Sequence, residues 1–145
     1  MLSLLAALSL LWSVPSAQVF APPGGVAWVR VAFPSGSATY NRTAPAELRL
    51  SSPWGERRAR PTGTPDPQDP EEAFARLDPL RLAVRVPPGT KPGAYPLTLR
   101  GALYLCSRQA GQCFRRELRA SVTLHVGASG RSETLQLPEA LLERP

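Results

Sequence analysis

Apolar and polar side chains alternate with a period of two along several stretches of this chain. The alternation is most regular in one short segment, where Leu80, Leu82, Val84 and Val86 are separated by Arg81, Ala83 and Arg85. Successive side chains of a β-strand point to opposite faces of its sheet, so this segment is predicted to be a strand with one buried and one solvated face. The Pro/Gly run at residues 87–89 ends it.

Four more segments carry the same alternation. Their predicted inward-facing residues are Ala27, Val29, Val31 and Phe33 in the first, Leu48 and Leu50 in the second, Leu97, Leu99, Leu103 and Leu105 with Gly101 in the third, and Phe114, Leu118, Ala120, Val122, Leu124 and Val126 in the fourth. Short strands joined by Pro- and Gly-rich turns, with no helix between them, indicate an all-β fold. The pattern favours an antiparallel β-sandwich.

Three segments lack this regular alternation. Residues 52–70 contain five prolines and charges of both signs, and they are predicted to form a long Pro-rich loop. Residues 70–77 are predicted to form one or two helical turns, with acidic side chains in the first turn, where the helix dipole favours them. The C-terminal residues 132–145 carry four leucines. They fit either an edge strand followed by a helical turn or an ordered strap.

The N-terminus carries an apolar leader. Residues 2–12 are apolar apart from two serines, and small residues are frequent in the segment 13–17 that follows. Such a run is typical of a secretory signal peptide, and it is shorter than the ~20 residues of a membrane-spanning helix. We predict a signal peptide, or an N-terminal anchor, over residues 1–17, a β-domain over 18–127 and a C-terminal tail over 128–145. The protein is then expected in the periplasm or secreted, and membrane-anchored if the leader is not cleaved.

The composition argues against several kinds of active site. A single His and two Cys are too few for a four-ligand Cys/His zinc site, and no Gly-rich phosphate-binding motif is present. With one His, a Ser/His/Asp triad is not indicated either. We therefore expect neither a metal nor a small-molecule cofactor.

The chain is basic, with 17 Lys and Arg against 11 Asp and Glu and a formal net charge of +6. Arginines cluster at residues 57–60 and 115–119, which raises the question of nucleic-acid binding. No aromatic residues are interleaved with these cations as they are in nucleic-acid stacking platforms. We expect no nucleic-acid partner, and we expect the domain to be monomeric.

The remaining candidate chemistry is carried by Cys106 and Cys113, which are separated by six residues. The apolar face is odd-numbered in the strand before the first cysteine and even-numbered in the strand after the second. Both cysteines therefore fall on the outward face of a β-hairpin, whose loop contains Gly111. A disulfide across the two strands fits this register if the two Cα atoms lie about 4.4–6.8 Å apart.

Two functions for this pair stay open. Arg108 and Arg115 flank the cysteines, and positive charge lowers a thiol pKa and favours thiol–disulfide exchange; Tyr104 shares their face and is positioned to shield the sulfurs or to contact a partner. Equally, exported domains often use a disulfide only as a staple, and closing a loop of this size stabilises by about 2.5 kcal/mol in the chain-entropy treatment. Spacing and register favour thiol–disulfide exchange and a purely structural disulfide about equally.

The segments around the cysteines resemble a known family. They are Gly93–Leu97, Ala102–Cys106, Gly111–Phe114 and a strand that ends Thr123–Val126, together with Phe33–Pro34 and Tyr40–Pro45 upstream. This pattern is similar to the N-terminal (alpha) periplasmic domain of DsbD-type thiol:disulfide interchange proteins, and to the related immunoglobulin-like domain of bacterial thioredoxin–NHL proteins. The loop has six residues between the cysteines, where the DsbD pattern has five.

The resemblance implies an immunoglobulin-like sandwich in which Cys106 and Cys113 exchange electrons with thioredoxin-like redox proteins or with a separately encoded membrane electron donor. Either cysteine can be the attacking one, and its proximity in sequence to Arg115 favours Cys113. In DsbD an aromatic-bearing cap loop shields the pair. Trp54, in residues 52–70, and Phe74 are the candidates for that role here. The competing interpretation is a non-catalytic exported binding module whose disulfide is purely structural.

Overall fold

Eleven β-strands and one short 3-10 helix make up residues 14–143, the part of the chain that this computed structural model describes. Most of the predicted leader, residues 1–13, lies outside the described residues. The strands are β1 Ser16–Ala21, β2 Val26–Ala32, β3 Ala38–Asn41, β4 Glu47–Ser52, β5 Gly55–Ala59, β6 Gly63–Pro65, β7 Ala73–Leu77, β8 Leu80–Arg85, β9 Gly93–Ser107, β10 Cys113–Val126 and β11 Thr134–Gln136; the 3-10 helix is Glu139–Leu142.

The strands form two sheets that pack as a sandwich, which confirms the all-β prediction. The larger sheet has the order β1-β10-β9-β3-β7-β6, with β4 also paired to β9 and β5 to β4; the smaller has the order β11-β2-β8. The sheets are mixed, not purely antiparallel as predicted, because β1 runs parallel to β10 and β11 runs parallel to β2. Both parallel pairs involve a strand near one end of the chain.

The core lies between the two sheets and follows the predicted alternation. The largest fully buried side chains include Leu97, Leu99, Leu103 and Leu105 of β9, Leu124 of β10, Leu48 and Leu50 of β4, and Val29 and Val31 of β2. Phe33 and Phe114 are only partly buried and pack against its margin. Because β9 and β10 contribute inward-facing residues along most of their length, their hairpin is the element on which the other strands assemble.

The prediction of a long loop over residues 52–70 is wrong for about half of these residues. A tight turn at Pro53–Trp54 leads directly from β4 into β5, and the Ser52 hydroxyl stabilises it by accepting from the Trp54 amide at 3.2 Å and donating to the Gly55 carbonyl at 3.1 Å. β5 carries almost only exposed side chains. Pairing with β4, rather than an apolar pattern of its own, makes it a strand.

The helical turns predicted for residues 70–77 are also wrong. The Ala73 amide closes one turn onto the Asp69 carbonyl, and the chain then becomes β7, which lies between β3 and β6. Phe74 faces Tyr40 of β3 across this pairing, and the Arg42 guanidinium lies 5.2 Å from the centre of the Phe74 ring. Sheet pairing outweighs a local helical preference in a segment this short.

Both ends of the described chain add edge strands. β1, which the alternation did not predict, buries Ala17, Val19 and Ala21, and its outward Phe20 stacks on His125 at 4.9 Å. The tail takes the first of its two predicted forms, an edge strand (β11) followed by a helical turn that buries Leu141 and Leu142.

Gly101 is predicted to be required for packing. A Cβ built at Gly101 would lie 2.4 Å from the Glu47 carbonyl oxygen and 2.5 Å from the Leu48 side chain of β4. Gly101→Ala should therefore lower the free energy of unfolding by about 1–3 kcal/mol through overpacking, as measured by urea denaturation. The control is Thr98→Ala on the outward face of the same strand, which should stay within about 0.5 kcal/mol of wild type. Equal effects of the two variants would contradict the prediction.

Tyr40 is predicted to make the fold sensitive to alkali. Its side chain is buried and its hydroxyl donates to the Pro34 carbonyl, and burial raises the pKa of Tyr40 well above its ordinary value. The folded state thus holds this proton more tightly than the unfolded chain does. The contribution of this proton to the free energy of unfolding is complete below about pH 10, the pKa of an unfolded tyrosine. This contribution is lost as the pH rises above that value.

The measurement is the free energy of unfolding as a function of pH, from about pH 9 to 12. Tyr40→Phe should flatten the alkaline fall while costing about 1 kcal/mol at neutral pH through the lost hydrogen bond. Tyr95→Phe is the control, because the Tyr95 hydroxyl bonds the Lys91 carbonyl at the surface. A fall of unchanged steepness in Tyr40→Phe would show that another group causes it.

Candidate functional site

The two cysteines lie directly opposite each other at the end of the β9–β10 hairpin. Cys106 pairs with Cys113, and their sulfurs form a disulfide. The Cα–Cα distance is 3.9 Å, which is shorter than the expected range of about 4.4–6.8 Å. The next pair toward the hairpin loop is Ser107 and Gln112, where the Ser107 amide donates to the Gln112 carbonyl at 2.8 Å. Hydrogen-bonded and non-hydrogen-bonded pairs alternate in an antiparallel ladder, so the cysteines occupy a non-hydrogen-bonded pair, where the Cα atoms approach most closely.

A four-residue loop, Arg108–Gly111, closes the hairpin beyond this pair. Its tightness depends on Gly111, which has a φ of 64° and donates its amide to the Ser107 carbonyl at 2.9 Å. A side chain other than glycine is strained at this φ. The sequence thus places both sulfurs on one face through strand parity and brings them together through a single glycine in the turn.

The two cysteines differ in exposure. Cys106 is half-buried between Cys113 and Thr39 of β3, whose hydroxyl donates to the Cys106 carbonyl at 3.5 Å. Cys113 is exposed. Within residues 14–143, β1 pairs with β10 only from Ser121 onward, and no other strand continues the sheet beside Cys113. Cys113 therefore lies at an open edge of the larger sheet.

Tyr104 and Arg115 form the pair next to the disulfide on the same outward face. The Arg115 guanidinium donates to Glu117 Oε1 at 2.7 Å. The pKa of Arg115 is raised above its ordinary value, first by this hydrogen bond and then by one with Tyr104. The structure thus brings Tyr104 and Arg115 beside the cysteines, but it also supplies an acidic partner, Glu117, that compensates the arginine charge.

Arg108 is directed away from the disulfide. Its Nε donates to the Gly36 carbonyl at 2.9 Å, its Nη1 lies 3.7 Å from Asp66 Oδ1, and its backbone amide donates to the Ser37 carbonyl at 3.0 Å. Asp66 is only 6% exposed, so Arg108 provides the counter-charge of a buried carboxylate. These contacts connect the hairpin loop, residues 108–111, to the segments before β3 and before β7.

The two candidates for an aromatic cap differ in position: Trp54 lies away from the cysteines, whereas Phe74 lines a small pocket together with Tyr104. Trp54 contacts Tyr95 at a ring distance of 5.2 Å, at the far end of β9 from Cys106. Phe74 is on β7 and packs beside Arg42. The sequence analysis also missed Thr39 and Asp66, because each becomes a neighbour of the site only through strand pairing or loop packing that no local pattern encodes. It missed Glu117 as well, although the alternation along β10 places Glu117 on the same face as Arg115, two residues away.

Other kinds of site find no support within residues 14–143. No three His, Cys, Asp or Glu side chains of this part of the chain are grouped as a metal site would require. Over the same residues no helix is long and apolar enough to cross a membrane. No protein-family model and no curated protein matches this chain.

Removing the disulfide is predicted to weaken the protein without unfolding it. The bond closes an eight-residue loop, and its removal in Cys106→Ala/Cys113→Ala should lower the free energy of unfolding by about 2.5 kcal/mol because the unfolded chain gains freedom. The remaining pairs of β9 and β10 keep the hairpin in register. Urea denaturation measures the loss, and reduced wild type should match the variant. A variant unfolded in buffer would contradict this.

Proposed function

We propose that this protein is a thiol–disulfide interchange domain that acts through Cys106 and Cys113 after export to the periplasm. The observation that carries the proposal is the exposure of Cys113 at an open sheet edge, where another thiol can approach the bond. A disulfide can exchange only if an attacking thiolate reaches one of its sulfurs. The resemblance of this region to DsbD-type domains points in the same direction.

Reduction of the pair then proceeds in two steps. A thiolate of a reduced dithiol partner attacks Cys113 Sγ, a mixed disulfide forms, and Cys106 leaves as a thiolate. The second thiolate of the partner attacks the partner's own sulfur in the mixed disulfide, and Cys113 leaves. The partner is oxidised to a disulfide, the pair gains two electrons, and the partner's two thiol protons are transferred to it through solvent.

The unequal burial of the two cysteines favours Cys113 as the residue that contacts the partner in both directions. In the reverse direction the Cys113 thiolate attacks an acceptor disulfide, and Cys106 resolves the mixed disulfide. Arg115 lies on the same face and favours the ionised form of Cys113, although its hydrogen bond to Glu117 reduces that influence. The partners implied are thioredoxin-like proteins or a membrane electron donor encoded separately.

A purely structural disulfide in an exported binding module is the second candidate. The observation that favours it is the arrangement of the charges: Glu117 compensates Arg115, and Arg108 is held by Asp66 and the Gly36 carbonyl. A thiolate beside compensated arginines is less stabilised than one beside free arginines. The bond would then serve to hold the loop that anchors Arg108.

The reduction potential distinguishes these two functions. The full chain is equilibrated with a thioredoxin of known potential, and the fractions of oxidised and reduced protein are quantified by thiol alkylation. An interchange pair should have a potential above about −300 mV and reach equilibrium quickly with the thioredoxin. A potential below that value, or a bond that native thioredoxin does not reduce, would assign the disulfide to structure alone.

A matched pair of variants tests the role of Cys113 in the same experiment. Cys106→Ser leaves the exposed cysteine and Cys113→Ser leaves the half-buried one, and both lack the disulfide, so they should share its loss of stability. Cys106→Ser should form a mixed disulfide with an aromatic disulfide reagent faster than Cys113→Ser. Equal rates, or the reverse order, would contradict attack through Cys113.

A further inference from the structure

Four arginines lie in a line across four neighbouring strands on the outward face of the larger sheet. Arg58 of β5 pairs with Arg49 of β4, Arg49 pairs with Arg100 of β9, and Arg100 pairs with Arg119 of β10. We call these four residues the arginine row. Adjacent strands are about 4.8 Å apart, and like charges directly opposite each other destabilise a sheet. Repulsion between the four arginines therefore destabilises the folded protein, and other interactions in the fold must offset this repulsion.

Acidic side chains offset only one half of the row. Glu47 lies 3.9 Å from both Arg49 and Arg58, and Glu56 lies 3.9 Å from Arg49 and 3.6 Å from Arg58. Glu117, the carboxylate nearest the other half in sequence, is hydrogen-bonded to Arg115.

The other half has no such partners. Within residues 14–143, neither Arg100 nor Arg119 makes an ion pair or a side-chain hydrogen bond. Two adjacent guanidinium groups thus remain uncompensated in the middle of the sheet face.

These two arginines lie in an open depression of about 640 Å³. Arg49 and Arg100 line it together with Arg119, and Tyr104 and Arg115 form its boundary toward the disulfide. Glu47 and Glu117 line it as well, so four arginines face two carboxylates and the excess of positive charge lies at Arg100 and Arg119. The depression therefore combines a concave surface with an excess of positive charge, which favours a negatively charged occupant.

We propose that this depression binds a small oligophosphate, a molecule with two or more phosphate groups linked in a short chain. Each guanidinium presents a planar fork of donors that matches phosphate oxygens in a bidentate manner, which a lysine cannot do. A linked series of phosphates supplies several negative charges at once. It would neutralise the uncompensated half of the row and remove the repulsion between Arg100 and Arg119.

Charge density favours linked phosphates over an acidic peptide. Neighbouring phosphates share a bridging oxygen, so their charges lie closer together than the carboxylates on one face of an extended peptide, which recur at about 6.6 Å. A peptide would therefore bring fewer negative charges to Arg100 and Arg119. The proposal does not depend on redox activity of Cys106 and Cys113, because no step of binding involves the sulfurs.

The test measures binding of inorganic tripolyphosphate to the oxidised full chain by isothermal titration calorimetry at low ionic strength, where surface charges are least screened. Arg100→Gln and Arg119→Gln should each weaken binding at least about tenfold, because each loses a charge-assisted bidentate contact. The matched control is Arg85→Gln, an exposed arginine of the smaller sheet that has no ion-pair partner among residues 14–143. It removes the same charge and should change binding less than about twofold. Orthophosphate and hexaglutamate should bind more weakly than tripolyphosphate.

Thermal unfolding gives a second readout that is independent of calorimetry. Without ligand, Arg100→Gln should have a higher Tm than wild type because the repulsion in the row is relieved. Tripolyphosphate should raise the Tm of wild type and of Arg85→Gln but not that of Arg100→Gln.

Three results would overturn the proposal. The first is no binding of tripolyphosphate to wild type, and the second is an equal loss of binding in Arg85→Gln and Arg100→Gln, which would show attraction by net charge alone. The third is tighter binding of hexaglutamate than of tripolyphosphate, which would assign the depression to an acidic peptide. Arg119→Gln keeps the test decisive if Arg100→Gln does not fold.

Discussion

The register between β9 and β10 is the constraint on which the rest of the molecule depends. Fourteen consecutive pairs, from Cys113 opposite Cys106 to Val126 opposite Gly93, follow a single register without a bulge. A shift of one residue would turn every inward side chain of one strand to solvent. The same register places the cysteines opposite each other, sets Tyr104 opposite Arg115 and aligns Arg100 with Arg119. Core, disulfide and charged face are therefore consequences of one pairing.

Residues at odd and even positions of a strand lie on opposite faces of its sheet. This explains why the core residues and the placement of the cysteines could be predicted from the sequence. The alternation of leucines in β9 and of apolar residues in β10 is enough to put Cys106 and Cys113 on the outward face, and a glycine in the connecting loop is enough to indicate a hairpin. Strands β2, β4 and β8 are predicted for the same reason. The all-β sandwich follows from these elements, and local pattern determines each of them.

The elements that escaped prediction are those held by pairing with another strand rather than by an apolar pattern of their own. β5 has no apolar face and becomes a strand by pairing with β4, and β7 replaces an expected helical turn because it lies between β3 and β6. The contacts of the arginines escaped prediction to different degrees. That Arg108 would face Asp66 depends on how loops pack, which no periodicity encodes. Arg115 and Glu117 lie two residues apart on one face of β10, so the pattern places them together and only the rotamers that join them are left unpredicted. Because these contacts compensate the charges of the arginines, they weaken the electrostatic argument for a reactive thiolate. The reduction potential is therefore the measurement that distinguishes a redox disulfide from a structural one.

The parallel pairing of β1 with β10 has a consequence for how the chain acquires its structure. Ser16 pairs with Ser121, so the first described strand to leave the ribosome waits for a partner synthesised roughly a hundred residues later, and β2 likewise completes its sheet with β11 near the other terminus. Contacts of such long range place this domain among slow folders, and the nascent chain meanwhile exposes unsatisfied strand edges that invite aggregation.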